Sequence, residues 1–151
     1  MATAGEKDGS TRLHTDLSLA ANKNLSCKKK KGSIDQAIGA VWDIFSPQDR
    51  DRIADYLRKH RGHKGKEHPI HAQRYYLAGG EISFLRESYG VCAHSFTQLP
   101  GETVFIPAGA PHQVSFCQYR IHLLVKLILL DRSVTSPHAS NLQWILFFQK
   151  P

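Results

Sequence analysis

The sequence predicts a mainly β barrel with a few helices, and three observations carry that prediction. Thr103-Val104-Phe105-Ile106 is a β-branched and aromatic run ended by Pro107, which has no N–H to give to a ladder. Pro107, Gly109 and Pro111 make a tight reversal, and Gln113, Val114 and Phe116 resume strand character, so the spacing predicts a β-hairpin with His112 at its mouth. Ser46 to Gly62 carries the clearest set of helix signals in the chain. Finally, 151 residues with 41% hydrophobic content make one domain with a real core and leave little room for two.

His112, held on stiff backbone, suits a metal ligand, although one histidine in a turn is by itself more simply a polar turn residue. Its partner lies in Thr11-Arg12-Leu13-His14-Thr15-Asp16-Leu17-Ser18. Residues i and i+2 of a strand share a face, so a strand here presents the His14 imidazole and the Asp16 carboxylate side by side. Two histidines and one carboxylate form the facial triad that leaves positions open on non-haem Fe(II). A bare His-x-Asp arises by chance in many chains. The order strengthens it: His-x-Asp first and, far downstream, Pro-His at a β-turn, as a double-stranded β-helix barrel requires.

Four stretches then follow in a familiar order: Ser10 to Asp16, Gly39-Ala40-Val41-Trp42-Asp43-Ile44-Phe45, His68-Pro69-Ile70-His71, and Val104 to Val114. In these the chain resembles the JmjC-domain histone lysine demethylases, most closely the plant-type subgroup acting on lysine 9 of histone H3. The likeness is strong from Gly39 to Val114, short but specific around His14, and poor between Ala20 and Ser33 and after Ser115. The resemblance implies an incomplete cupin/JmjC-like barrel, with His14, Asp16 and His112 as iron ligands. It further implies 2-oxoglutarate as cosubstrate, with Thr11 and Asn22 at positions near its site.

In chain order, residues 1–10 are small and polar, show no leader pattern and are expected to be mobile. A partial JmjC-type domain is expected over 11–138, with a basic loop at 23–33 and a divergent apolar tail at 139–151. Leu19 stands where the family usually has an acid, and Ala21-Asn22-Lys23-Asn24-Leu25 where it has an apolar half-strand. Lys28 to Lys31 is a run of like charges, read equally as a nuclear localisation signal or as a solvated linker.

Gly39 to Phe45 is apolar, and its Trp42 reads as a core anchor. In the helix that follows, Ser46 is the N-cap, Pro47 the first helical residue and Asp49 the end of a capping-box-like pattern. Ile53, Tyr56 and Leu57 form its apolar face, Arg58, Lys59 and His60 complement the dipole, and Gly62 is the stop. His60, His63, His68 and His71 cluster without a zinc-like spacing, which favours a basic loop leading into an extended Pro69-Ile70 segment.

Glu81 to Tyr89 reads as a short helix packing Ile82, Phe84 and Leu85 inward and closed by Gly90. Val91 to Gln98 reads as a strand, and Pro100-Gly101 as a turn. Ile121 to Leu130, aliphatic except for Lys126, is too short to span a bilayer and suits a buried strand. Trp144 to Phe148 is apolar and, if exposed, prone to aggregate.

Cys27, Cys92 and Cys117 have no paired spacing, which speaks against a disulfide framework or structural zinc and for a reducing, intracellular setting. A net charge of +7 favours acidic partners, chromatin and non-specific DNA contact among them, and no membrane. The reading is an Fe(II)- and 2-oxoglutarate-dependent dioxygenase in the nucleus, demethylating lysine on the histone H3 tail by hydroxylating its N-methyl group. The alternative is a catalytically inactive JmjC fragment serving as a chromatin-associated or nucleic-acid-binding module, since half of the domain lacks a counterpart and the tail is altered.

Overall fold

The computed structural model describes residues 11–24, 39–116 and 124–129. The Lys28–Lys31 run, Cys27, Cys117, the 1–10 segment and the 139–151 tail lie outside these residues. Among the described residues, seven strands and two α-helices run in the order β1 (Thr11–His14), β2 (Leu19–Asn24), β3 (Ala40–Phe45), α1 (Arg50–His60), α2 (Gly79–Tyr89), β4 (Ala93–Gln98), β5 (Thr103–Ile106), β6 (His112–Phe116) and β7 (Leu124–Leu129).

The strands form two sheets, one ordered β1-β6-β3-β4 and the other β5-β2-β7, with antiparallel pairing throughout. Alternation along β3 explains the layering. Ala40, Trp42 and Ile44 turn one way, into a cluster with Ala20, Val104, Ile106, Ala110 and Val114 that fills the space between the sheets. Phe45 turns the other way, joining Leu13 and the helix residues Ile53, Tyr56, Leu57 and Leu85 in a second cluster. β3 is therefore covered on both faces, which accounts for its unbroken burial from Trp42 to Phe45, the polar Asp43 included. The architecture is mainly β with a few helices, a double-stranded β-helix whose two sheets, among the described residues, do not close into a full barrel.

Several local expectations are corrected. β5 and β6 do not form a hairpin: β5 pairs with β2 in one sheet and β6 with β1 and β3 in the other. The Pro107–Pro111 turn instead carries the chain across the gap between sheets, its rigidity serving the crossing and not a two-strand reversal. β1 ends at His14, so Asp16 sits in the loop beyond it and not on the strand. Residues 19–24 form a strand despite their polar character, since Ala20, Ala21, Asn22 and Asn24 are buried between β5 and β7.

In the helical layer, a 3-10 turn at Pro47–Asp49 precedes α1. The Ser46 hydroxyl accepts from the Gln48 N–H at 3.3 Å, and Asp49 pairs with Arg52 at 3.2 Å instead of completing a capping box. The box-like contact belongs to α2, where Glu81 accepts from the Ala78 N–H at 2.9 Å. Gly62 stops α1 as expected, in left-handed backbone at φ 65°. Gly90 closes α2 the same way. Phe84 does not pack inward: it is 40% exposed, because Ile82 and Leu85 occupy the stripe facing the core and Phe84 covers the rim of Tyr56 and His60. Pro69-Ile70 lies in a turn, not an extended segment, with the Ala72 N–H bonded to the His68 carbonyl at 3.1 Å. The Val91–Gln98 strand begins two residues late, at Ala93, because the Val91 N–H closes α2 onto Leu85.

Candidate metal centre

β6 is the strand between β1 and β3, and its first residue, His112, lies opposite His14 on one side and Ile44 on the other. The register thus sets the two imidazoles against each other, with ring centroids 4.1 Å apart. Asp16 reaches the same place by a different device. The N–H of Gly109 donates to the Asp16 carbonyl at 2.7 Å, stitching the loop after β1 to the Pro107–Pro111 turn. Gly109 adopts φ 75°, which a side chain would resist. One ligand atom from each of His14, Asp16 and His112 then lies within 4.8 Å of the others, with Asp16 Oδ2 3.8 Å from His112 Nε2.

The tautomers are set by the backbone. Nδ1 of His14 donates to the Arg12 carbonyl at 2.8 Å and Nδ1 of His112 to the Ala110 carbonyl at 2.9 Å, which leaves each Nε2 with its lone pair. A ring nitrogen tied to a carbonyl while its partner nitrogen stays basic is how metal-ligating histidines are held. Two such imidazoles and one carboxylate fit a divalent transition metal with open positions for further ligands.

Two buried glutamines, which the sequence reading passed over, brace this centre. The Trp42 ring lies against His112 at 6.1 Å and 23°, and its Nε1–H donates to Gln98 Oε1 at 2.9 Å. Gln98 Nε2 in turn donates to the carbonyls of Asn22 and Glu102, both at 2.9 Å, joining the sheets directly behind the indole. Gln113, next to His112 on β6, accepts from the Leu77 N–H at 2.8 Å and donates to the Leu77 carbonyl and to Asp43 Oδ2. Asp43 also accepts from the Ser95 hydroxyl at 2.6 Å. One signal was present: an acid inside the apolar run 39–45 has to be answered by donors when it is buried.

Thr11 lies on β1 opposite Val114, and Asn22 on β2 opposite Val104 and Lys126. The Asn22 side chain is buried, and among the described residues its Oδ1 has no hydrogen-bond partner. The four clustered histidines do not form a second centre. Among the described residues no group besides His14, Asp16 and His112 gathers ligand atoms so closely. His63 is buried on Tyr75 and the Glu67 carbonyl, and His60 stacks on Tyr56. His68 packs edge-on to His71, and its pKa is pushed down by burial and then by the neighbouring Arg50, His71 and Arg58.

Residues 34–126 match the family described as JmjC domain, hydroxylase, a span that includes His112 and begins after Asp16. Lysine-specific demethylase 3A of Homo sapiens is 31% identical over 92% of the chain and 12% of its own length. Lysine-specific demethylase 3 of Drosophila melanogaster is 38% identical over 72% of the chain and 14% of its own length. Lysine-specific demethylase JMJ26 of Arabidopsis thaliana is 42% identical over 53% of the chain and 10% of its own length. The chain therefore spans only a small part of the length of these relatives.

Proposed function

The chain belongs to the JmjC domain family, and on that footing we propose that it is an Fe(II)- and 2-oxoglutarate-dependent dioxygenase of the histone lysine demethylase type. The substrate is a methylated lysine on the histone H3 tail, with lysine 9 as the site type. The observation that carries this reading is the convergence of His14, Asp16 and His112 from distant parts of the chain. Bound iron would activate dioxygen, one oxygen atom going to 2-oxoglutarate as it is decarboxylated to succinate and carbon dioxide and the other hydroxylating the N-methyl group, after which the carbinolamine loses formaldehyde to leave the amine.

The chain's own part is to bind and orient. His14 and His112 offer Nε2 because their Nδ1–H groups are held by carbonyls. The Asp16 carboxylate supplies negative charge beside them. Trp42 and the apolar residues between the sheets cover the buried side of His112 and keep water from it. Thr11 and Asn22 are assigned to the neighbourhood of the cosubstrate, Asn22 because its buried amide oxygen lacks a partner among the described residues. The domain is taken to run over 11–138, and the protein to act at chromatin in the nucleus. Among the described residues no helix is long and apolar enough to cross a membrane.

The test supplies Fe(II), 2-oxoglutarate and methylated histone H3 peptides and measures succinate and formaldehyde. Iron-dependent release of both, abolished by chelation, is the expected result. The second reading, a catalytically inactive chromatin-associated fragment, draws on the second sheet, which among the described residues has three strands. Stoichiometric metal binding without succinate would favour it. Replacing Lys28 to Lys31 with Gln should shift a fusion too large for passive diffusion from nucleus to cytoplasm, and an unchanged distribution would leave the run a linker.

A further inference from the structure

Away from the metal centre, the stretch 50–74 holds eight Lys and Arg residues against three Asp and Glu. Part of this charge is answered locally: Lys59 pairs with Asp55 at 2.7 Å, Arg61 with Glu81 at 2.6 Å and Arg74 with Glu67 at 2.9 Å. Arg58, Lys64 and Lys66 are exposed and make no ion pair among the described residues. An unanswered lysine on a slack loop would mean little, since it is at home in water.

This loop is built. His63 is buried at its root: its N–H donates to the Leu57 carbonyl at 3.3 Å, its Nδ1 meets the Tyr75 hydroxyl at 3.0 Å and its Nε2 the Glu67 carbonyl at 3.0 Å. Gly62 turns the chain at φ 65°, and a Cβ on Gly65 would come within 3.1 Å of His63 Nε2. Residues 63–67 therefore wrap one imidazole and hold Lys64 and Lys66 outward, one on each side of Gly65. The positive field is felt by a neighbouring group. The lowering of the His68 pKa by burial is reinforced by Arg50, His71 and Arg58, and Asp51 opposes it only weakly.

We propose that the His63-anchored loop, with Arg58 from the last turn of α1, is a contact surface for the phosphate backbone of double-stranded DNA, engaged without regard to sequence. A phosphodiester backbone presents a regular line of single negative charges, which matches cations held apart on rigid supports. Single strands are a poorer match because they need free aromatic faces, and Tyr75 is already taken by the Arg61 guanidinium at 5.6 Å and the His63 ring at 5.8 Å. The inference does not depend on the demethylase reading, because none of these residues belongs to the metal centre.

The experiment measures binding of the full chain to a mixed-sequence DNA duplex by fluorescence anisotropy across a salt series. Each phosphate contact adds about 0.9 to the slope of log K against log salt, so K64Q/K66Q should lower the slope by about 2 and weaken binding about tenfold or more at low salt. The charge-matched double K23Q/R86Q, on exposed residues elsewhere, should leave most of the affinity. Gly65→Ala keeps every charge but disturbs the loop, and should weaken binding several-fold while metal binding and the circular dichroism spectrum stay unchanged. Equal losses in the two doubles, or an unaffected Gly65→Ala protein, would overturn the assignment to this loop. Competition by polyglutamate as effective as by DNA at equal charge would overturn the assignment to DNA.

Discussion

The helical layer and the candidate metal centre are held together in opposite ways. In the helical layer one residue gathers everything: Glu81 accepts from the Ala78 N–H, from the Tyr56 hydroxyl at 2.9 Å and from Arg61, closing α2 onto α1 with partners from neighbouring elements. The centre has no such hub. Its three side chains come from the end of one strand, the loop beyond it and the start of a strand far away in sequence, and each is placed by a different backbone contact. The helical layer should therefore lose stability when its hub is removed, whereas the centre should lose metal at several independent points with the fold largely kept.

The sharpest break in that comparison uses two histidines. His112→Ala removes one of the three candidate donors among the described residues, and metal binding by the purified chain, followed by calorimetric titration with Fe(II) or Co(II), should fall by orders of magnitude. His63→Ala removes a buried ring from the helical side. It leaves the Tyr75 hydroxyl and the Glu67 carbonyl without that partner, so it should cost about 1–3 kcal/mol of stability while metal still binds. Were His112→Ala to keep its metal, the centre would have to lie elsewhere.

A second, smaller effect joins the two regions. Gln113 sits beside His112 but bonds to Leu77, on the segment leading into α2. Gln113→Leu keeps the volume and strands the Leu77 N–H, the Leu77 carbonyl and one Asp43 oxygen, at a cost of about 2–4 kcal/mol. Because the same contacts fix β6, metal affinity should drop as well, by about tenfold. Urea unfolding together with a metal titration separates the two. A loss of stability with affinity intact would show that His112 is positioned by the turn alone.

What could be read from the sequence divides along the same line. Helix α1 was legible because its signals are local: Ser46, Pro47, the Ile53/Tyr56/Leu57 stripe and Gly62 all act within a few turns. Strands 103–106 and 112–116 were legible as strands, but not their partners, because alternation says which face is apolar and not which sheet will receive it. His14, Asp16 and His112 were singled out through their spacing and a family resemblance and do converge, although the expected geometry, His14 and Asp16 on one strand, differs from the loop placement of Asp16. Gln98 and Gln113 were not found. A buried amide carries no local pattern, and only the unpaired groups around it in the fold reveal why it is there.

The smallest effect tests the hub itself through pH. Burial pushes the Glu81 pKa up, but bonds from Ala78, Arg61 and Tyr56 outweigh burial and leave it below the usual carboxylate range. Tyr56, raised to about 12 by burial and by its bond to Glu81, stays a donor through neutral pH. A carboxylate with a lowered folded pKa binds fewer protons folded than unfolded, so its stabilisation is present above the unfolded value and is lost as pH falls through the folded one. Glu81→Gln cannot titrate, and it replaces an ionic acceptor with a neutral amide, costing about 1–2 kcal/mol near pH 7. The difference in urea midpoint between the native chain and this variant should hold steady from about pH 8 to pH 6 and narrow as pH falls below the unfolded carboxylate value, about 4.3, where the unfolded chain takes up a proton that folded Glu81 does not. A gap that widened on acidification would mean that Glu81 is held protonated in the fold, and the three donors around it would then need another explanation.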